Sequence, residues 1–312
     1  MARPLRISYP GAFYHVTSRG NERKAVFKSS GDRERFLGYL ASASQRYDAR
    51  VHAYCLMDNH YHLLLQTPRA NLPEIMHHIN GAYTTYFNVK RARSGHLLQG
   101  RYKAILVEID GYAKELSRYL HLNPVRAKIV QAPEEYPWSS YRDYIGMRHA
   151  PGWLYRDFIL GCFDAKLPKA QERYRGFVMA LVDQTYASPL EAVSGSTLLG
   201  SVDFISFVKT TYLSRRKPDK NLPALKQLAE GVSIQTICAE VEAAFTGQAQ
   251  LARSIQMYLC QKYARMKLKN VGAYFGVGES GVCQAVRRVT ERMKMDRRLN
   301  KRIDAMEKRF QS

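Results

Sequence analysis

Residues Cys55–Gln66 read CLMDNHYHLLLQ, and the alternation inside this stretch decides how the chain folds. Arg50–Met57 fits one strand and His60–Gln66 the next, with Asp58 and Asn59 as the tight turn between them. Side chains on a strand point alternately to its two faces. His60, His62 and Leu64 therefore share one face, and Tyr61, Leu63 and Leu65 the other. Two imidazoles two residues apart on one strand face can both reach a single metal ion, histidine being the commonest metal ligand. A pair of unrelated surface histidines at a strand edge accounts for the same spacing.

Working outward, Gly11–Ser18 (GAFYHVTS) is short, aromatic and β-branched, the pattern of a strand broken by Arg19-Gly20-Asn21. Gly31–Tyr47 has Asp32 near its start and apolar residues at helical spacing (Phe36, Leu37, Leu40, Ala43). Leu72–Val89 repeats the helical spacing, and Arg101–Glu108 (RYKAILVE) reads as a fourth strand. Asp110–Leu122 predicts a further helix, opened by an acidic N-cap candidate and ended ahead of Pro124. The order β-α-β-β-α-β with an added helix predicts an α+β fold, the ferredoxin-like split βαβ arrangement. Its antiparallel sheet carries two helices on one face. Such a superfold hosts many unrelated functions, so the architecture alone assigns none.

Pro133–Gly152 is rich in aromatics and turn residues and is expected to wrap this first domain. From about Leu154 the strand signals fade, and Glu172–Val182, Val202–Tyr212, Ala224–Gly231 and Ser233–Phe245 all read as helices. The expected organisation is a first domain over 1–150, a helical connector of unassigned role over 151–232, and an all-α domain over 233–312.

The 312 residues suffice for about two domains. They carry 48 Lys and Arg against 27 Asp and Glu, a formal charge of +21. An excess on this scale argues for a polyanionic partner, most simply nucleic acid. A membrane surface is the competing polyanion, but the basic residues are spread among apolar ones rather than gathered in one juxtamembrane block. No apolar run approaches the ~20 residues of a membrane-spanning helix, and the N-terminus lacks the apolar core of a secretory signal. Five widely spaced cysteines without a CxxC motif point to reduced thiols and a cytoplasmic setting. There is no P-loop, no GxSxG motif and no cluster of acidic residues, so the corresponding classes of chemistry are disfavoured.

In Asp110–Asn123 (DGYAKELSRYLHLN), Tyr119 and Asn123 stand one turn apart on one helix face. Asparagine ligates hard cations through its carbonyl oxygen, and a phenol serves as a covalent nucleophile. A buried helix tyrosine and a helix-end asparagine ahead of proline explain the same residues without function. Tyr112, seven residues before Tyr119, shares its face as a competing nucleophile, although no ligand follows it one turn later.

His60-Tyr61-His62 resembles the His–hydrophobic–His signature of the HUH single-strand nucleases. The run SRYLHLNPVRA (Ser117–Ala127) resembles the tyrosine helix of the single-tyrosine HUH transposases. Its YxxxNPV pattern, together with PWSSY at Pro137–Tyr141, is most similar to the REP-associated tyrosine transposases. This resemblance implies that His60, His62 and Asn123 are metal ligands for Mg²⁺ or Mn²⁺ and that Tyr119 is the nucleophile. It also implies transesterification of single-stranded hairpin DNA through a 5′-phosphotyrosine link, with Asn123 standing where related enzymes often have glutamine. Two neutral nitrogens and an amide oxygen hold Mg²⁺ weakly, so DNA phosphate is expected to supply further oxygens. A phenol is mostly protonated at neutral pH, and no residue stands out as its base.

In the second half, Lys269–Phe275, the turn Gly276-Val277-Gly278 and Ser280–Val289 have helix-turn-helix spacing. The stretch resembles the C-terminal DNA-binding domain of the replication initiator DnaA, in which LARxxxxYL precedes the turn. Residues 250–312 hold 15 Lys and Arg against 5 Asp and Glu. Arg287 and Arg288 are the expected phosphate contacts, and Ser280 and Gln284 the expected base contacts. Arg101 and Lys103, opening the fourth strand, are further DNA-binding candidates. A basic helical bundle used for protein contacts is the alternative, and the tail beyond Met293 reads equally as a solvated charged helix. The reading is a single-strand DNA endonuclease and strand transferase acting on REP-type hairpins, as monomer or homodimer, with duplex DNA as a further partner of the C-terminal domain. Its rivals are another HUH nickase, such as a replication initiator, and a non-catalytic repeat-binding regulator.

Overall fold

A computed structural model describes residues 6–311, apart from 183, 185–186, 214–232, 265 and 267. The chain divides into two compact units, Met1–Lys226 and Gln227–Ser312.

The first unit is built on strands β1 (Ala12–Arg19), β2 (Arg50–Leu56), β3 (His60–Thr67) and β4 (Lys103–Val107). They are joined antiparallel in the order β2-β3-β1-β4, the split βαβ arrangement that the element order predicts. Helices α1 (Ser30–Tyr47) and α2 (Leu72–Lys90) cover one face. Tyr61 points into this layer: its ring lies 4.8 Å from that of Phe36, and its hydroxyl donates to Asn80 Oδ1 at 2.7 Å. Helix α1 starts in a capping box formed by Ser29 and Asp32. The buried Asp32 carboxylate also accepts from Lys90 (2.9 Å) and Arg91 (2.5 Å) at the far end of α2, which fixes the two helices end to end.

Helix α3 (Ile109–Arg126) lies on the opposite face, where Leu116 and Leu120 pack with Phe13, Ala53, Leu64 and Val107. It runs through Pro124 instead of stopping ahead of it. A proline this close to a helix end removes a single backbone N–H, and the chain closes by Ala127 N–H donating to Asn123 O at 2.9 Å. Tyr119 and Asn123 thus stand on one regular turn.

The first unit extends well past residue 150. Leu198–Leu199 adds a fifth strand, β5, parallel to β4, and two residues are too few to carry a strand period. After α4 (Tyr141–Tyr144), helices α5 (Asp157–Gly161) and α6 (Leu167–Met179) put Ile159, Leu160, Tyr174 and Val178 into the same core as α3. The expected connector over 151–232 therefore belongs, as far as it is described, to the first unit. The expected helix Val202–Tyr212 is shorter, α7 (Val202–Val208) followed by a π turn, and the one expected over Ala224–Gly231 lies outside the described residues.

PWSSY straps the β2 edge. Trp138 O accepts from Leu56 N–H (2.9 Å), Tyr54 O accepts from Ser140 N–H (3.0 Å), and Tyr136 donates its hydroxyl proton to Leu56 O (2.7 Å). An edge so covered offers no template for further strands. Beneath it, the buried His121 ring joins three elements. Its Nδ1 lies 2.7 Å from Tyr174 Oη, and its Nε2 lies 2.8 Å from Ser140 Oγ. Tyr174 donates on to Ser117 Oγ (2.9 Å), which donates to Lys114 O (2.7 Å).

The second unit comprises α8 (Ile234–Ala244), α9 (Ala249–Tyr263), α10 (Leu268–Tyr274), α11 (Glu279–Met295) and α12 (Arg297–Gln311). They pack around Ile237, Val241, Ile255, Leu259, Val271, Val282, Val289 and Ile303. The charged tail is thus a packed helix, with Leu299, Ile303 and Met306 as its buried stripe. The α10–α11 turn needs its glycines: Gly276 has φ +65°, and a Cβ on Gly272 would meet Val277 O at 2.6 Å. No described helix is long and apolar enough to cross a membrane.

Both tryptophans, Trp138 and Trp153, lie in the first unit and report its unfolding. His121→Ala removes one buried partner from each of Tyr174 and Ser140 and leaves a cavity between them, and is expected to cost about 2–4 kcal/mol in urea unfolding followed by tryptophan fluorescence. Burial lowers the pKa of His52 to about 4 and that of His121 to about 3, against 6.5 in the unfolded chain. The unfolded state then binds protons that the folded state refuses. Stability from these groups is complete above about pH 6.5 and falls toward pH 4 by about 1.4 kcal/mol per histidine per pH unit. A urea midpoint unchanged between pH 7 and pH 5 would contradict this.

Candidate active site

The β1–β3 register sets the site. Thr17 stands opposite His62, Arg19 opposite His60 and His15 opposite Leu64, and directly opposed residues share a face. His15, Thr17, Arg19, His60 and His62 therefore lie on the face that α3 covers. Lys103 joins them from β4, opposite Thr17, and it is exposed, as are Arg19 and the nearby Arg101.

Helix α3 brings Tyr119 onto this row. Its ring stands edge-on to His62 at 6.0 Å and to His15 at 6.3 Å, with interplanar angles of 89° and 86°. The Arg126 guanidinium lies 5.3 Å from the centre of the Tyr119 ring, within the range of a cation–π contact. Asn123 follows one turn after Tyr119, on the same helix face. Tyr112, the competing tyrosine, packs against the core cluster beneath α3, as Tyr119 does.

The two signature histidines differ in their surroundings. His60 is half-buried, and its Nδ1 lies 2.6 Å from Asn59 Oδ1. Asn59 is itself oriented by its Nδ2, which donates to Arg23 O at 3.1 Å. His60 Nδ1 therefore carries the proton and leaves Nε2 bare. His62 is buried, its ring 5.0 Å from that of His60, and its Nδ1 lies 2.9 Å from His15 Nε2. All three imidazoles are held neutral. Desolvation lowers the pKa of His15 to about 4; desolvation and the charge of Arg19 lower that of His60 to about 4. His62 falls well below the usual range through desolvation and its two histidine neighbours. Neutral imidazoles keep the lone pairs that metal ligation requires.

Among the described residues, no group of three or more His, Cys, Asp or Glu side chains is disposed to hold a metal ion. A cation at His60 and His62 would need a third donor of another kind. Asn123, one turn after Tyr119, is the candidate, and its amide nitrogen is buried without a hydrogen-bond partner. Two imidazoles and an amide are a neutral nitrogen and oxygen set, open to further oxygens from a substrate.

Three polar residues here escaped the sequence reading. Asn59 reads as a turn residue and Arg19 as a strand breaker. His15 lies 47 positions from His62, and only the strand register joins them. The remaining candidates, Ser280, Gln284, Arg287 and Arg288, lie on α11 in the second unit. All four are exposed, and Arg287 pairs with Glu291 one turn on.

Comparison with known proteins adds a family match over part of the chain. Residues 8–123 match the family model described as "Transposase IS200 like", a span that runs from β1 to Asn123. No curated protein matches the chain. One similar solved structure is described as a REP-associated tyrosine transposase bound to a REP hairpin. The likeness covers 48% of this chain and 89% of that one, at 14% identity and a TM-score of 0.41.

Proposed function

We propose, from the premise that residues 8–123 form an IS200-like transposase domain, that the chain cuts and rejoins single-stranded DNA through Tyr119. The observation that carries this reading is the convergence of Tyr119 with His62 on one sheet face, with His60 beside it. In the reaction, Tyr119 Oη attacks a backbone phosphorus. The Oη–P bond forms and the P–O3′ bond breaks, leaving a 5′-phosphotyrosine and a strand that ends in 3′-OH. The phenolic proton passes to solvent, and the departing 3′ oxygen takes one up. Attack by a 3′-OH on the phosphotyrosine reverses the step and joins strands.

His60, His62 and Asn123 are the residues that would hold Mg²⁺ or Mn²⁺. The bound cation supplies Lewis-acid polarisation of the phosphate and charge stabilisation in the transition state. Arg126, over the Tyr119 ring, places a positive charge beside the attacking group, where it suits the incoming phosphate. Arg19 and Lys103 flank the histidine row with exposed positive charge that suits the phosphates on either side of the scissile one. Hairpin DNA of the REP type is the substrate class supported by the YxxxNPV and PWSSY motifs. In the second unit, exposed Arg287 and Arg288 with Ser280 and Gln284 suit a recognition helix that adds affinity for duplex DNA.

With labelled hairpin DNA and Mn²⁺, wild type is expected to give a protein–DNA adduct that survives SDS. Tyr119→Phe should give none, and His60→Ala or His62→Ala should reduce it at least 100-fold. An adduct that persists in Tyr119→Phe and disappears in Tyr112→Phe would move the nucleophile to Tyr112. No adduct on any hairpin would favour a non-catalytic repeat-binding regulator. Arg287→Ala with Arg288→Ala should weaken duplex binding and lower the slope of log K against log salt by about 2, while hairpin cleavage persists. An unchanged slope would remove α11 from the DNA interface.

A further inference from the structure

We propose that His15 is a positioning residue that holds the His62 ring with its Nε2 unprotonated and facing the divalent cation. The inference rests on the metal site described above and extends it to a residue outside the ligand set.

The argument begins from one hydrogen bond. His62 Nδ1 and His15 Nε2 are 2.9 Å apart with both side chains buried. Between two neutral imidazoles this contact holds a single proton, and it can be arranged in two ways. If His15 Nε2 carries the proton, His62 Nδ1 accepts, and the neutral His62 must carry its own proton on Nε2. That nitrogen then has no lone pair for a metal. If His62 Nδ1 carries the proton, His15 Nε2 accepts and His62 Nε2 is bare. Only the second arrangement makes His62 a ligand.

His60 offers the internal comparison. Its Nδ1–H is engaged by Asn59 Oδ1 at 2.6 Å, and Asn59 is fixed in turn by Arg23 O. Both signature histidines thus have Nδ1 turned to a partner behind the site, the usual role of the group behind a metal-bound histidine. For His60 that partner is an amide oxygen; for His62 it is a ring nitrogen. His15 is not placed as a ligand itself. Its Nε2 is occupied by His62, and its Nδ1 is buried without a partner. In the arrangement proposed, that Nδ1 holds the His15 proton, and the ring persists there because its other nitrogen has a fixed task. The two rings lie within 10° of parallel with their centres 5.1 Å apart, the edge-to-edge, nearly coplanar arrangement that an in-plane N–H···N bond requires.

Two substitutions separate an acceptor from a packing role. His15→Gln keeps a carbonyl oxygen near the position of Nε2, and His15→Phe keeps an aromatic ring without an acceptor. Mn²⁺ binding to the full chain with hairpin DNA bound is followed by electron paramagnetic resonance. The thermal midpoint from tryptophan fluorescence confirms that each variant is folded. His15→Phe is expected to weaken Mn²⁺ binding 10- to 100-fold, and His15→Gln to stay within about threefold of wild type. Hairpin affinity in EDTA should be unchanged in both. Phe matching wild type, or Gln binding as weakly as Phe, overturns the proposal. So does wild type that binds no Mn²⁺, a result that removes the metal site as well and is distinguishable for that reason. Independently of any variant, two-bond ¹H–¹⁵N correlation spectra of the wild-type Mg²⁺–hairpin complex should show His62 protonated at Nδ1. A proton on His62 Nε2 in that complex overturns the assignment directly.

Discussion

The pairing of β1 with β3 is the constraint on which the site depends. With Thr17 opposite His62 and Arg19 opposite His60, the imidazoles face α3 while Tyr61, Leu63 and Leu65 face α1 and α2. A slip of one residue would exchange the two sets. It would drive His60 and His62 into the aromatic layer around Phe36 and Tyr83, and it would leave Leu63 and Leu65 under Tyr119. Every buried group on both faces opposes that exchange. The register is therefore specified by the whole sheet, and the histidines occupy positions already decided by apolar burial.

Helix α3 is the second half of the same constraint. Its apolar stripe, Leu116 and Leu120, is buried against the sheet, so its rotation about its own axis is set by packing. Tyr119 stands at the edge of that stripe with its ring 6.0 Å from that of His62, and Asn123 follows it one turn on. The ring of His121, on the same helix, ties α3 to Tyr174 and to the PWSSY strap through bonds of 2.7 and 2.8 Å. A satisfied buried network of this kind resists small rotations that a purely apolar interface tolerates. Residues expected to form a connector thus hold the helix that carries the nucleophile candidate.

What the sequence made legible follows from the range of each interaction. The period-2 pattern around His60 and His62 and the one-turn spacing of Tyr119 and Asn123 are local, and both can be read without a fold. The second unit was legible for the same reason, since its helices carry clear periodic stripes. His15 was not legible, because its partner lies 47 residues away and is found only through the register. Asn59 reads as a turn residue, which conceals the hydrogen bond its Oδ1 accepts from His60 Nδ1. Pro124 reads as a helix stop, yet α3 runs on through it to Arg126, where packing against the sheet outweighs the proline's local cost. The β5 strand has two residues and thus no pattern, so the first unit looked shorter than it is.

The proposed donor set would link cation binding to DNA binding. Two neutral imidazoles and one amide offer a divalent cation no charge, and hard cations gain much of their binding from anionic oxygen. In the proposed reaction a DNA phosphate would supply that oxygen, so the cation should bind more tightly once DNA is in place. Linkage then requires the converse by the same factor: DNA must bind more tightly once the cation is present. A carboxylate ligand would weaken this coupling, because the cation would already be held without substrate. The proposed neutral ligand set would thus favour a site that assembles on its substrate, with the Nδ1 partners of His60 and His62 holding the protein's half of it in place.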